Sequence, residues 1–117
     1  MRTRQDVINF CLSLNDTYED YPFGDFNWTL MRHNGNKKSF AMIYEHMGGI
    51  WINVKCDRAL IHMWRASFDG VVAAYHMNKE HWNSIILGTD VPADDIKTMI
   101  MDSYNLTKPK KTKNAHK

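Results

Sequence analysis

Hydrophobic residues near the N-terminus recur at spacings of three and four. The positions concerned are Val7, Phe10, Cys11 and Leu14. This period predicts an amphipathic helix, and Thr3 with Asp6 three residues later predicts its N-terminal capping box. The next stretch, residues 15–25, is rich in acids and turn formers and includes Pro22 and Gly24. It is therefore predicted to be a loop.

From residue 28 the pattern changes to a period of two, which predicts β-strands. Residues 28–33 alternate between two faces and lead into Asn34-Gly35, a strong hairpin signal. The return strand is predicted at residues 39–44, and a third strand at residues 50–56. Three strands joined by short turns predict an antiparallel meander.

The second half of the chain returns to a helical period and then to extended segments, and it contains no internal repeat of the first half. Asp57 is the predicted N-cap of a second helix, and a short extended segment and a turn at residues 78–82 follow. A last strand near residues 84–87 precedes a helix that is predicted to begin at Pro92. The element order α-β-β-β-α-β-β-α predicts an α+β fold, a two-layer sandwich with the helices packed on one face of an antiparallel sheet.

Charge is divided unevenly along the 117 residues. Residues 1–106 carry ten Lys and Arg against all thirteen Asp and Glu, a net charge of −3. Residues 107–117 carry five lysines and no acid. The length corresponds to one domain, predicted at residues 1–106, and the basic segment 107–117 is predicted to be a disordered C-terminal tail.

Composition and residue spacing bear on the cellular location and on the possibility of catalysis or metal binding. No apolar run approaches the ~20 residues of a membrane span, and the N-terminus lacks the apolar block of a secretory signal. A cytoplasmic protein without membrane contact is expected, with Cys11 and Cys56 as buried free thiols. The spacing of His, Cys and acidic residues matches no metal site or catalytic constellation, so we expect no cofactor and no enzymatic activity.

The segment YHMNKEHW, residues 75–82, concentrates polar and aromatic groups. Its candidate site residues are Tyr75, His76, Asn78, Lys79 and Trp82. The start of a helical turn attracts anions, and His76 and Lys79 flank it, so this segment is a candidate anion site. The alternative is structural: Asn78 caps the turn, Trp82 packs on the core and Lys79 is solvated.

Basic residues also cluster around the first hairpin. The candidates for nucleic-acid contacts are Arg32, Lys37, Lys38 and Lys55. A projecting basic loop can contact phosphates, although charged hairpin tips also keep soluble proteins soluble.

Six blocks along the chain resemble the MmcQ/YjbR family. They are YPFGD at 21–25, KKSFAMIY at 37–44, INVKCD at 52–57, YHMNKEHWNSIIL at 75–87, VPADDI at 91–96 and DSYNL at 102–106. The resemblance implies a secretion-chaperone-like (CyaY-like) α/β sandwich and a role in DNA binding through a double wing. It brings no catalytic residues.

Three functions therefore stand as hypotheses. The first is sequence-tolerant DNA binding through phosphate contacts made by the basic hairpin wings. The second is a protein-interaction or chaperone-like module, including a homodimer, and the third is a small-anion binder.

Overall fold

The structure, a computed structural model, describes residues 1–110. It contains three helices and six strands in that part of the chain. In order they are α1 (Arg4–Leu12), β1 (Thr17–Asp20), β2 (Thr29–His33), β3 (Ser39–His46), β4 (Gly49–Lys55), α2 (Ile61–Ser67), β5 (Val71–Ala73), β6 (Trp82–Ile86) and α3 (Ala93–Thr107). Among these residues no helix combines the length and the apolar character that a bilayer crossing requires.

The six strands form one antiparallel sheet in the order β1-β2-β3-β4-β6-β5. Ile43, Ile52 and Ile85 lie opposite one another across the three central strands and are fully buried. Apolar side chains from all three helices join them in a single core. The predicted α+β fold with helices on one face is confirmed, and the opposite face of the sheet carries no helix of the described chain.

The first helix begins as predicted. The Thr3 hydroxyl accepts the Asp6 amide at 3.1 Å, and the Asp6 carboxylate accepts the Thr3 amide at 3.1 Å. These two bonds satisfy amides that a helix start leaves unpaired. The carboxylate is fully exposed, and the backbone amides of Arg2 and Thr3 lower its pKa. Val7 and Cys11 point into the core.

The prediction of a loop over residues 15–25 is wrong in part, because Thr17–Asp20 forms edge strand β1. Its four residues pair with β2, and the Asp20 carboxylate accepts Arg32 Nε at 2.8 Å. The strand is short and polar. Its four residues pair with β2 residues that lie 10 to 16 positions further along the chain, so the local composition gave no indication of it.

The hairpin predicted at Asn34-Gly35 is confirmed, since β2 and β3 pair across residues 34–38. The residue with a left-handed backbone in its loop is Lys37 (φ 62°), and neither Asn34 nor Gly35 has this conformation. The predicted cap of α2 is wrong. Asp57 does not cap α2, whose N-cap is Leu60. The Asp57 carboxylate instead accepts the Ala59 amide at 2.8 Å, which caps the turn before the helix. Ile61 and Trp64 of this helix are buried in the core.

The last helix joins the sheet through hydroxyl groups as well as apolar contacts. Ser103 Oγ donates to the Phe40 carbonyl at 2.6 Å and accepts the Lys55 amide at 2.9 Å. The helix starts one residue after Pro92, which is its N-cap, and it runs to the buried Thr107, one residue beyond the predicted domain boundary. Residues 111–117 of the predicted tail lie outside the described residues.

Candidate functional site

The open face of the sheet, opposite the helices, brings together residues from four strands. The register places Leu30, Met42, Asn53 and Ser84 in one row across β2, β3, β4 and β6. Leu30, Asn53 and Ser84 are buried although no helix covers them. The segment that precedes β6 and several aromatic rings cover this row instead.

Stacked rings form the central part of this cover. Trp28 lies parallel to Tyr44 with a centroid distance of 4.0 Å and an interplanar angle of 15°. Tyr75 stacks on His46 at 4.1 Å, and His46 meets the Trp51 ring edge-on at 4.8 Å. Offset-stacked and edge-to-face geometries are the favourable ones for aromatic pairs, so these rings pack on one another across the open face.

A buried polar network lies beneath the rings. Asn53 Oδ1 accepts the Tyr44 hydroxyl at 2.8 Å and the Ser84 hydroxyl at 2.5 Å. Asn53 Nδ2 donates to the Tyr75 carbonyl at 2.9 Å, and Ser84 Oγ accepts the Tyr75 amide at 3.1 Å. Burial raises the pKa of Tyr44, so its phenol stays protonated and donates. Both backbone polar groups of Tyr75 are therefore fixed from inside the sheet.

The fixed backbone of Tyr75 presents the next residue to an apolar pocket of about 360 Å³. The side chains that line it are Phe23, Trp28, Leu30, Met42, His76 and Met77. His76 has a left-handed backbone (φ 59°), a conformation that costs energy for any residue with a Cβ. The pocket thus lies between the loop before β2 and the turn that begins the YHMNKEHW segment.

The structure divides the predicted residues of that segment between two surfaces. His76 lines the open-face pocket, whereas Lys79 lines a depression beside α2 together with Arg58 and Arg65. Asn78 has its predicted structural role, since its side chain accepts the Glu80 amide at 2.8 Å. The two residues proposed to flank one anion therefore face different depressions.

An arginine from α2 holds the other half of the segment. Arg65 Nε donates to Asn83 Oδ1 at 2.6 Å, and its Nη2 donates to the Lys79 carbonyl and, at 3.4 Å, to the Trp82 carbonyl. Trp82 is half-buried and opens β6 opposite Lys55. Arg65 was missed at the sequence level because its partners follow it by 14 to 18 residues, beyond the reach of helical spacing.

Of the hairpin candidates, Arg32 is already engaged. Its guanidinium pairs with Asp20 and donates to the Lys37 carbonyl at 2.8 Å, so it braces the hairpin loop. Lys37 and Lys38 are exposed at the hairpin tip. Lys55 lies at the end of β4, half-buried.

The C-terminal end of α3 extends the basic hairpin surface. Asn36 Nδ2 donates to the Thr107 carbonyl at 2.9 Å. Pro109 packs on Gly35 so closely that a Cβ added there would lie 2.6 Å from Pro109 Cγ. Lys38, Lys108 and Lys110 consequently line one depression of about 800 Å³. We call Lys37, Lys38, Lys108 and Lys110 the basic surface.

The two cysteines are free and buried as predicted. Burial raises the pKa of the Cys11 thiol to about 12 and also raises that of Cys56, so both remain protonated. Within residues 1–110, no three His, Cys, Asp or Glu side chains are grouped to hold a metal ion.

Sequence reasoning missed the open-face network and the pocket. One signal was available: Asn53 stands in the middle of the apolar strand IWINVKC, and a polar residue buried in a central strand requires hydrogen-bond partners. The alternation of residues 28–33 also placed Trp28 and Leu30 on one face. Their contacts with Phe23 and Met77 come from loops that no periodicity describes.

Comparison with known proteins identifies relatives along most of the chain. The sequence model of the YjbR family matches residues 12–106. YyaQ of Bacillus subtilis (strain 168) is 33% identical over 119 residues, covering 92% of this chain and all of YyaQ. YbdF of Escherichia coli O157:H7 is 30% identical over 86 residues, covering 74% of this chain and 68% of YbdF. Both relatives are described as uncharacterised.

Solved structures share the fold. The crystal structure of a Pseudomonas syringae protein superposes with a TM-score of 0.81 at 30% identity, covering 90% of this chain and 98% of that one. Deinococcus radiodurans DR2400, whose domain is named DUF419, gives a TM-score of 0.81 at 24% identity, covering 91% of this chain and 78% of that one. The family match, the relatives and the shared architecture lead to one conclusion: the chain belongs to the YjbR family.

Proposed function

We propose that this protein is a non-enzymatic nucleic-acid-binding protein that contacts phosphates through the basic surface. The observation that supports this proposal is the packing of Pro109 on Gly35. It places the lysines of the hairpin tip beside those that follow α3, so two weakly basic segments act as one. Clustered Lys and Arg side chains supply the sequence-independent part of nucleic-acid binding.

The distribution of charge supports a localised contact. All thirteen acidic residues precede residue 103. Asp57 and Asp102 line a neighbouring depression that shares Asn105 and Leu106 with the basic one, so these carboxylates border the basic depression without lining it. The three lysines among residues 111–117 continue the chain from Lys110. A phosphate backbone is therefore attracted to this end of the molecule, and the rest of the slightly acidic body repels it.

The test is a fluorescence-anisotropy titration of duplex DNA at two salt concentrations. Each phosphate contact contributes about 0.9 to the slope of log K against log salt. Replacing Lys37→Gln and Lys38→Gln together should reduce that slope by about 1.8. The control is Arg2→Gln with Lys97→Gln, which removes the same charge from exposed positions elsewhere and should leave the slope closer to that of the unchanged chain.

Equal slopes for the two double variants would contradict a localised contact. A chain that ends at Lys110 separates the contributions further. If the two double variants still differ in their salt slopes when made in this shortened chain, the described surface binds DNA. If the shortened chain binds no DNA at either salt concentration, the last lysines act as a nonspecific polycation and the proposal fails.

Protein interaction is a second candidate because large apolar side chains are exposed at the other end of the sheet. Phe23, Phe26 and Met47 are 62%, 81% and 85% exposed. Hydrogen bonds between Asn27 and Glu45 hold the loop and the turn that carry them together. Exposed apolar patches of this kind mark interaction sites. Sizing at increasing protein concentration, with Phe26→Ser as the matched variant, tests for a homodimer, and an invariant monomer would count against it.

A further inference from the structure

We propose that the open-face pocket binds a small uncharged aromatic molecule that carries one hydrogen-bonding group, of the phenol or indole class. This site is separate from the basic surface, because the two lie at different parts of the sheet and share no residue. The proposal therefore stands whether or not the protein binds DNA.

The size and lining of the pocket favour an aromatic ring. Its volume of about 360 Å³ falls within the range of small-molecule sites. Leu30 and Met42 from two adjacent strands contribute apolar side chains to it. Phe23 and Trp28 form an edge-to-face pair at 88° with centroids 6.4 Å apart, so two aromatic rings line the pocket. Contacts with aromatic rings are favourable for an aromatic guest.

The polarity of the pocket indicates an uncharged ligand. Among the described residues that line it, His76 and the indole N–H of Trp28 are the side-chain polar groups, neither is a carboxylate, Lys or Arg, and the other four side chains are apolar. Imidazole can donate or accept one hydrogen bond, which matches a hydroxyl or an indole N–H. An ionised ligand would lose its hydration without gaining a paired charge from these residues.

The backbone at the pocket is held in place before any ligand arrives. His76 has φ 59°, and such strain in a residue other than glycine persists only where surrounding structure enforces it. The enforcement is visible in Asn53 and Ser84, which bind the carbonyl and amide of Tyr75 from inside the sheet. A buried network that fixes a strained polar residue beside an apolar cavity is the arrangement of a preorganised binding site.

The test is a titration of the full chain with p-cresol, monitored by the backbone amide resonances in ¹H–¹⁵N spectra. The expected shifts concentrate at Leu30, Met42, His76 and Met77. The matched ionised probe is p-toluate, which should bind at least about tenfold more weakly, since one uncompensated charge outweighs one hydrogen bond. Equal affinities for the two probes would overturn the assignment of an uncharged ligand.

Two variants and one control tie binding to the pocket. Met42→Trp fills the cavity and should abolish the shifts, whereas Met63→Trp introduces the same ring at an exposed position on α2 and should not. His76→Gly relieves the left-handed strain, keeps the fold and should weaken p-cresol binding about three- to tenfold through the lost hydrogen bond. Binding that survives Met42→Trp, or an affinity that His76→Gly leaves unchanged, refutes the proposal. The same holds if these resonances shift on concentrating the protein without p-cresol, because a second copy then occupies the pocket.

Discussion

Replacing Asn53 with alanine tests the buried network that supports the open face. Three hydrogen bonds converge on this side chain, from the Tyr44 and Ser84 hydroxyls and to the Tyr75 carbonyl. Asn53→Ala removes all three and adds no compensating polar group. Because Asn53 and Ser84 are fully buried and Tyr44 nearly so, water does not reach the abandoned partners easily.

The magnitude follows from counting those partners. A buried polar group left unsatisfied costs about 1–3 kcal/mol. The two hydroxyls lie 3.4 Å apart and can bond each other, so together they count as one loss, and the Tyr75 carbonyl counts as the other. The free energy of unfolding should fall by about 2–6 kcal/mol, a large part of the total stability of a domain of this size.

Urea unfolding followed by circular dichroism measures this change, with Asn105→Ala as the control. Asn105 is exposed on α3, so its replacement should change the free energy of unfolding by no more than about 0.5 kcal/mol. Combining Asn53→Ala with Tyr44→Phe should cost less than the sum of the two, because both remove the same bond. A loss below about 1 kcal/mol for Asn53→Ala, or strict additivity in the double variant, would refute the network as described.

Two further predictions concern titratable groups. Burial lowers the pKa of His33 below its ordinary value of 6.5, so on acidification the unfolded chain binds the proton before the native state does. The free energy of unfolding should therefore decrease as the pH falls through 6.5 toward the native pKa. In urea unfolding of His33→Gln, the free energy of unfolding should depend less steeply on pH in that window. Cys11 and Cys56 should resist an aromatic disulfide reagent at pH 8 in the native protein and react in urea, because buried protonated thiols are poor nucleophiles. Ser67→Cys, at an exposed position, should react at once, and rapid labelling of the native unchanged chain would contradict the burial of its two thiols.

Several elements could be predicted because their signals are local. The capping box of Thr3 and Asp6, the apolar periods of α1 and α3 and the alternation of β2 to β4 each involve residues within a few positions of one another. Strand β1 could not be found in this way. Thr17–Asp20 has no apolar alternation, and its strand conformation comes from pairing with β2.

The candidate site residues likewise divide into those with local signals in the sequence and those that depend on tertiary contacts. Lys37, Lys38 and the lysines after α3 are visible as charge in the sequence, and Asn78 is visible as a cap. That the two groups of lysines share a surface depends on Pro109 and Gly35, which are 74 residues apart. Tertiary structure also pairs Arg32 with Asp20. It likewise places His76 and Lys79 at different depressions.

The sequence by itself determined the fold class, the family and the positions of most helices and strands, since periodicity and caps are properties of neighbouring residues. Tertiary structure alone decided which polar groups form hydrogen bonds within the protein and which remain available for binding. Asn53, Tyr44 and Ser84 lie on three strands, and no spacing along the chain relates them. Their hydrogen bonds exist because the sheet register brings them together, and that register is selected by the burial of the whole core.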